Sequence, residues 1–166
     1  LGGGRDYFLP RELGGLRGDK RDLIAQWQAT NGSADYVTSS TALQSLDLSA
    51  GNKLMGLFSR SMMAYESERG VTDQPSLTEM ALAAVDRLSL NQDGYFLMVE
   101  AGRIDHAHHA TYAADALNET QQLSRAVKQV MDRVDLRDTL ILVTADHSHT
   151  FVIGGYPQRG NPILGL

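Results

Sequence analysis

All five histidines of this 166-residue chain fall between positions 106 and 149, in two groups. The first lies in Glu100-Ala101-Gly102-Arg103-Ile104-Asp105-His106-Ala107-His108-His109, the second in Asp146-His147-Ser148-His149. Asp105 and His109 are four apart, so on a helical turn they share a face, where a carboxylate oxygen and an imidazole nitrogen can grip one cation. Zinc accepts both donor types at about 2.0–2.2 Å. Glu100 suits a harder ion such as magnesium, which prefers carboxylate and water. Asp146 and His147 are adjacent on an expected loop, where a bent backbone can aim both at one ion. His149, two residues on, can instead hydrogen-bond a ligating carboxylate and orient it. Bland alternatives compete: a lone histidine is usually a surface or satisfied core residue, and Asp105 can be the N-cap of the following helix. Those alternatives leave unexplained why both groups combine histidine with carboxylate and why each follows an apolar run.

Those runs are the elements expected to position the groups. Residues 95–99 (Tyr-Phe-Leu-Met-Val) and 139–143 (Thr-Leu-Ile-Leu-Val) are continuously apolar, as in strands covered on both faces of a parallel sheet. Sites in open α/β sheets form beyond the carboxyl ends of strands, which is where both groups stand. Upstream, Ser76 and Glu79 form a capping box for a helix reaching about Leu90, with Leu77, Met80, Ala81, Ala84, Val85 and Leu88 on the helical period. A long helix is predicted over 113–134, with Ala113, Ala116, Thr120, Leu123, Val127, Val130 and Val134 along one face. Shorter elements are predicted at 20–29 (helix), 36–38 (strand) and from 39–41 through Leu46 (helix). Residues 1–18 read as glycine-rich loop, 59–70 as loop and 91–94 as a turn. The order of helices and strands implies an α/β sandwich with a mostly parallel central sheet flanked by helices.

Composition narrows the classes. Hydrophobic residues are 42% and charged residues 21%, which is ordinary for a globular protein. A net charge of −5 lacks the basic footprint of a nucleic-acid binder. There is no cysteine, so thiol catalysis, disulfides and Cys-ligated zinc are excluded. No apolar run approaches the roughly 20 residues of a bilayer crossing. The glycines at 2–4 are not followed by the Lys-Ser/Thr of a phosphate loop, and Ser148 reads as a small turn residue rather than a nucleophile. Asn31 and Asn118 match the glycosylation pattern only weakly. The glycine-rich start, without a methionine, and the apolar end at 163–166 are unlike frayed natural termini, so the expectation is a partial domain over 1–166.

The segments Val99-Glu100-Ala101-Gly102-Arg103-Ile104-Asp105-His106-Ala107-His108-His109 and Val143-Thr144-Ala145-Asp146-His147-Ser148-His149 together resemble the metal-binding segments of alkaline phosphatases. Leu1-Gly2-Gly3-Gly4-Arg5, Leu54-Met55-Gly56-Leu57-Phe58 and Gly154-Gly155-Tyr156-Pro157-Gln158-Arg159-Gly160 resemble the same family, in the same order. The resemblance implies a phosphomonoesterase with two zinc ions and one magnesium, working through a phosphoserine. It implies Asp105 and His109 on the first zinc, Asp146 and His147 on the second, and Glu100 on magnesium. His149 would support Asp105, and His106 would stand near the phosphate. A calcium site would use the Phe58 carbonyl and Asp73, but Ser59 replaces the expected glutamate. No residue here matches the family's nucleophilic serine, bridging aspartate, phosphate-binding arginine or final zinc-ligand histidine. The resemblance also implies a homodimer in the periplasm, secreted or lipid-anchored. Other enzymes of the superfamily (a phosphodiesterase or a cofactor-independent mutase) and a non-catalytic metal-binding remnant stand as alternatives.

Overall fold

The computed structural model describes residues 1–152 and 154–162; the apolar end at 163–166 lies outside the described residues. Its elements run α1 (Leu23–Thr30), β1 (Ala34–Val37), α2 (Ser40–Gln44), β2 (Lys53–Gly56), α3 (Glu66–Arg69), α4 (Leu77–Leu88), α5 (Arg103–His109) and α6 (Ala113–Arg133). The fold is α/β, with β1 and β2 paired in parallel from Ala34 opposite Lys53 to Val37 opposite Gly56. Gly2 extends the pairing: its N–H donates to the Gly56 carbonyl at 2.9 Å, and its own carbonyl accepts from Phe58 N–H at 2.8 Å. Gly3 has to be glycine, because a Cβ there would stand 2.2 Å from the Ser61 carbonyl oxygen.

Helix starts follow local side-chain chemistry. Asp22 caps α1 by accepting Ala25 N–H at 2.9 Å, which sets the start later than position 20. Ser39 caps α2. At α4, Ser76 Oγ accepts Glu79 N–H at 3.2 Å while the Glu79 carboxylate accepts Ser76 N–H at 2.6 Å, completing the capping box. Val37, Leu43, Phe58 and Ala83 form the core where α2 and α4 close over the sheet, with Leu46, Leu54 and Met80 packed around it. Arg87 ties α4 to the strands: it donates to the Asn52 carbonyl at 2.5 Å and to the Asp35 carboxylate at 3.1 Å. The 21-residue α6 packs against α4, α5 and α3, with Ala116, Gln122 and Ala126 buried.

Two expectations and one competing reading are corrected. Residues 95–99 and 139–143 carry no strand ladder, and Phe96 and Leu140 are 88% and 82% exposed. Apolar side chains favour a strand only where a neighbouring backbone completes its hydrogen bonds, and among the described residues no backbone forms a ladder with these runs. Conversely β2, Lys-Leu-Met-Gly, is a strand although its ends are a lysine and a glycine, because β1 lies beside it and completes its hydrogen bonds. The expected loop over 59–70 contains the single turn α3, whose Glu66 N–H finds its acceptor on α6, in Glu119 at 2.6 Å. Asp105 is not an N-cap: α5 starts at Arg103 after Gly102, and Asp105 lies within its first turn.

Candidate metal centre

α5 is a short helix with two unlike faces. Ala107, at 0% exposure, is packed inward with Tyr65 and Ala116. Asp105 and His109 share the open face, with Asp105 Oδ2 and His109 Nε2 3.4 Å apart. The helix stops at a Schellman motif: Tyr112 N–H donates to the Ala107 carbonyl at 2.8 Å and Thr111 N–H to the His108 carbonyl at 3.0 Å. The turn places Thr111 at φ +61°, a conformation a β-branched residue rarely adopts.

The chain returns to this face at 146–149. Asp105 Oδ1 lies 3.8 Å from His147 Nε2 and 3.5 Å from His149 Nε2. His147 Nε2 is also 3.3 Å from the Asp146 carboxylate. Asp105 thus stands among imidazoles from both groups. One ligand atom from each of Asp105, His109 and His149 lies within 4.8 Å of the other two. Zinc holding donors at about 2.0–2.1 Å in tetrahedral array keeps them roughly 3.3 Å apart, so the Asp105–His109 spacing fits such an ion.

Hydrogen bonds assign which ring nitrogens are free. His147 Nδ1 donates to the Ser148 carbonyl at 2.7 Å, which leaves its Nε2 lone pair facing the carboxylates. That bond, followed by the Asp146 charge and a smaller contribution from Asp105, holds the His147 imidazole above its usual pKa against weak desolvation. The neighbourhood is one that draws cations. His149 is the opposite case. Its Nδ1 accepts Thr150 N–H at 2.9 Å, so the neutral ring carries its hydrogen on Nε2, toward Asp105. His149 is therefore arranged to orient that carboxylate.

The other sequence candidates stand apart from this cluster. His106 Nδ1 accepts from the Arg103 guanidinium at 3.4 Å. Glu100 is exposed, folded beside Gly102, with no hydrogen bond or ion pair to the imidazoles among the described residues. The Asp73 carboxylate accepts Thr41 N–H at 3.0 Å and the Thr41 hydroxyl at 3.1 Å, and so is engaged at the start of α2; Phe58 is buried in the core.

Two residues carry more of the site than their spacing suggested. His108 stacks on His149, with ring centroids 4.9 Å apart and 19° between planes, and meets Phe151 edge-on at 5.5 Å. A histidine between two candidate ligand positions gave no sign that it would pack rather than bind. Arg103 lies over the Tyr65 ring, 3.5 Å from its centroid. Behind α5 a cleft of about 180 Å³ is lined by Ala107, His108, Thr111, Tyr112, Phe151 and Val152, among others.

Comparison with known proteins agrees across the chain. The family model for alkaline phosphatase matches residues 1–166. Among curated proteins, the chain is 43% identical to the tissue-nonspecific isozyme of alkaline phosphatase from Gallus gallus over 100% of its own length and 35% of that protein's. It is 42% identical to the membrane-bound alkaline phosphatase of Bombyx mori, over 99% of this chain and 32% of the relative. The chain thus spans about a third of the length of the curated relatives it matches. Among solved structures, the alkaline phosphatase of Thermus thermophilus superposes with a TM-score of 0.71 at 33% identity, over 83% of this chain and 28% of that one. That of a psychrophilic Shewanella gives 0.64 at 28% identity, over 80% and 29%.

Proposed function

This chain belongs to the alkaline phosphatase family, and on that premise we propose that it takes part in hydrolysing phosphate monoesters, residues 1–166 supplying a portion of a single catalytic domain. The observation that supports the reading is the position of Asp105, with His109 at 3.4 Å, His147 at 3.8 Å and His149 at 3.5 Å, drawn from two separate stretches of sequence. In this reading Asp105 and His109 hold one zinc, Asp146 and His147 a second, and Glu100 a magnesium. The donor types fit: imidazole and carboxylate suit zinc, and a lone exposed carboxylate suits a hydrated magnesium. Zinc bound there supplies Lewis acidity toward phosphoryl oxygens.

The chain's own residues do the positioning, on which phosphoryl transfer mainly depends. His149 turns Nε2 toward Asp105 at 3.5 Å and biases which way that carboxylate faces. The Ser148 carbonyl fixes the tautomer of His147. Arg103, by donating to Nδ1 of His106, leaves the hydrogen of that ring on Nε2, available to a phosphate oxygen. The nucleophile, and with it the phosphoserine, comes from outside residues 1–166. A homodimer outside the cytoplasm belongs to the same reading. Among the described residues no helix is long and apolar enough to cross a membrane.

The test is to place residues 1–166 in the matching segment of a full-length alkaline phosphatase. The chimera is expected to hydrolyse p-nitrophenyl phosphate far faster than bis(p-nitrophenyl) phosphate, and to lose that turnover with His109→Ala. The isolated chain, given zinc and magnesium, is expected to show none. Robust turnover by the isolated chain would overturn its role as a portion. A preference for the diester would point to another enzyme of the superfamily, and zinc binding without turnover in the chimera to a non-catalytic remnant.

A further inference from the structure

The inner side of α5 rests on one aromatic ring. Tyr65, only 8% exposed, lies just before α3 and carries Arg103 over its face, 3.5 Å from the ring centroid. Tyr112, just past the other end of α5, meets it edge-on at 6.4 Å and 64°. Ala107, midway along α5, belongs to the same buried cluster as Tyr65. The ring is thus touched at the start, the middle and the end of the helix whose opposite face carries Asp105 and His109. It is held from the far side too. Glu66 N–H donates to Glu119 at 2.6 Å and Ser67 Oγ to Asp115 at 2.7 Å, which ties α3 to α6.

Arg103 adds a second indication. Its Nε is buried without a hydrogen-bond partner, which leaves the Tyr65 ring face as its close neighbour. The same guanidinium both lies on the Tyr65 ring and reaches His106 Nδ1 at 3.4 Å. A cation over a tyrosine face is held by the ring quadrupole, and the attraction is stronger where water is excluded.

We propose that Tyr65, acting with Arg103, is a positioning residue for the zinc ligands: its ring sets the placement of α5 and thereby where Asp105 and His109 stand relative to His147 and His149. The proposal rests on the reading of that face as a zinc site. The Tyr65 hydroxyl makes no hydrogen bond among the described residues, so the ring, not the hydroxyl, carries the role.

The test measures zinc affinity of the full chain by competition with a chromophoric chelator, and the visible spectrum of its cobalt(II) complex. Tyr65→Leu is expected to weaken zinc by about tenfold or more, the usual scale for groups that orient ligands, and to alter the cobalt bands. Tyr65→Phe should stay within about twofold of the parent. Val37→Ala, in the separate core cluster, should lower thermal stability without moving zinc affinity. Arg103→Met should weaken zinc, and adding it to Tyr65→Leu should weaken zinc little further, since both act through one contact. If Tyr65→Leu leaves zinc affinity and the cobalt bands unchanged while His109→Gln abolishes binding, the proposal falls and the zinc site stands. If Tyr65→Phe is as damaging as Tyr65→Leu, or Val37→Ala is, the ring has no specific role. If His109→Gln changes nothing, the zinc site falls as well.

Discussion

The part of the molecule around β1, β2 and α4 and the part that carries the imidazoles are built differently. In the first, large side chains meet: Leu43 is 3% exposed, and Val37, Phe58 and Val85 are also buried. Arg87 ties α4 to both the Asp35 and Asn52 segments. In the second, the buried residues beyond position 90, among the described residues, are Ala107, Ala116, Ala126 and Gln122, while Phe96, Met98, Leu140 and Leu142 face outward. Small residues let α5 and α6 approach closely, but they bury little apolar area and contribute little transfer free energy. The contrast teaches that the candidate site is held by a few specific contacts, not by a broad core.

The largest expected effect puts that contrast to a direct test. Leu43→Ala should cost about 2–5 kcal/mol in urea unfolding, because it empties a closed core position. Leu140→Ala, with the same change in chemistry at an 82% exposed position, should stay within about 0.5 kcal/mol. A loss at Leu140 comparable to that at Leu43 would mean that residues 139–143 are covered in solution.

Next in size is the α4 capping box. Ser76→Ala should cost about 1 kcal/mol, by freeing Glu79 N–H and removing a partner of the Glu79 carboxylate. The C-terminal end of α5 runs the other way. Thr111→Gly should stabilise by about 0.5–1 kcal/mol, since glycine adopts φ +61° without the steric cost threonine bears. A destabilised Thr111→Gly would show that the threonine side chain makes contacts worth more than that strain.

Smallest, and pH-dependent, is a pair of carboxyls whose pKa values are shifted in opposite directions. Burial raises the Glu79 carboxyl, but hydrogen bonds from Ser76 and Gln44, with the Arg69 charge, outweigh it and leave the group below its usual range. Glu79 therefore stabilises the fold above the ordinary carboxylate range, and that contribution is lost as pH falls through its lowered value. Glu119 is raised, first by burial and then by the Glu66 and Asp115 charges, against a hydrogen bond from Glu66 N–H and the Arg103 charge. Its contribution is complete below the ordinary range and lost as pH rises through its raised value. Glu119→Gln should thus raise thermal stability at pH 7 relative to the parent, with the gain vanishing near pH 4; Glu79→Gln should lower it at pH 7. Melting curves at both pH values check the two signs, and a loss for Glu119→Gln at pH 7 would contradict the ordering.

Much of the architecture was legible in residue order. The Ser76/Glu79 pair marked the start of α4, and apolar spacing marked α6 to within a residue at its end. The four-residue interval from Asp105 to His109 put both on one helical face. The misses share a cause. A strand is completed by a partner that its own sequence does not specify, so apolarity marks 95–99 and 139–143, which join no ladder among the described residues, and not β2, which pairs with β1. The roles of His108 and Arg103 depend on what lies across from them, and neither Phe151 nor Tyr65 is close in sequence.

Chain chemistry alone thus settled which atoms are available to a cation and which helix turns bear them, because caps and helical periods act over three or four residues. It could not settle that Asp105 meets His147 and His149, that His149 turns its Nε2 hydrogen toward Asp105, or that α5 lies on Tyr65. Those follow from contacts between segments far apart in sequence, whose distances are set by how the helices pack and not by any local preference.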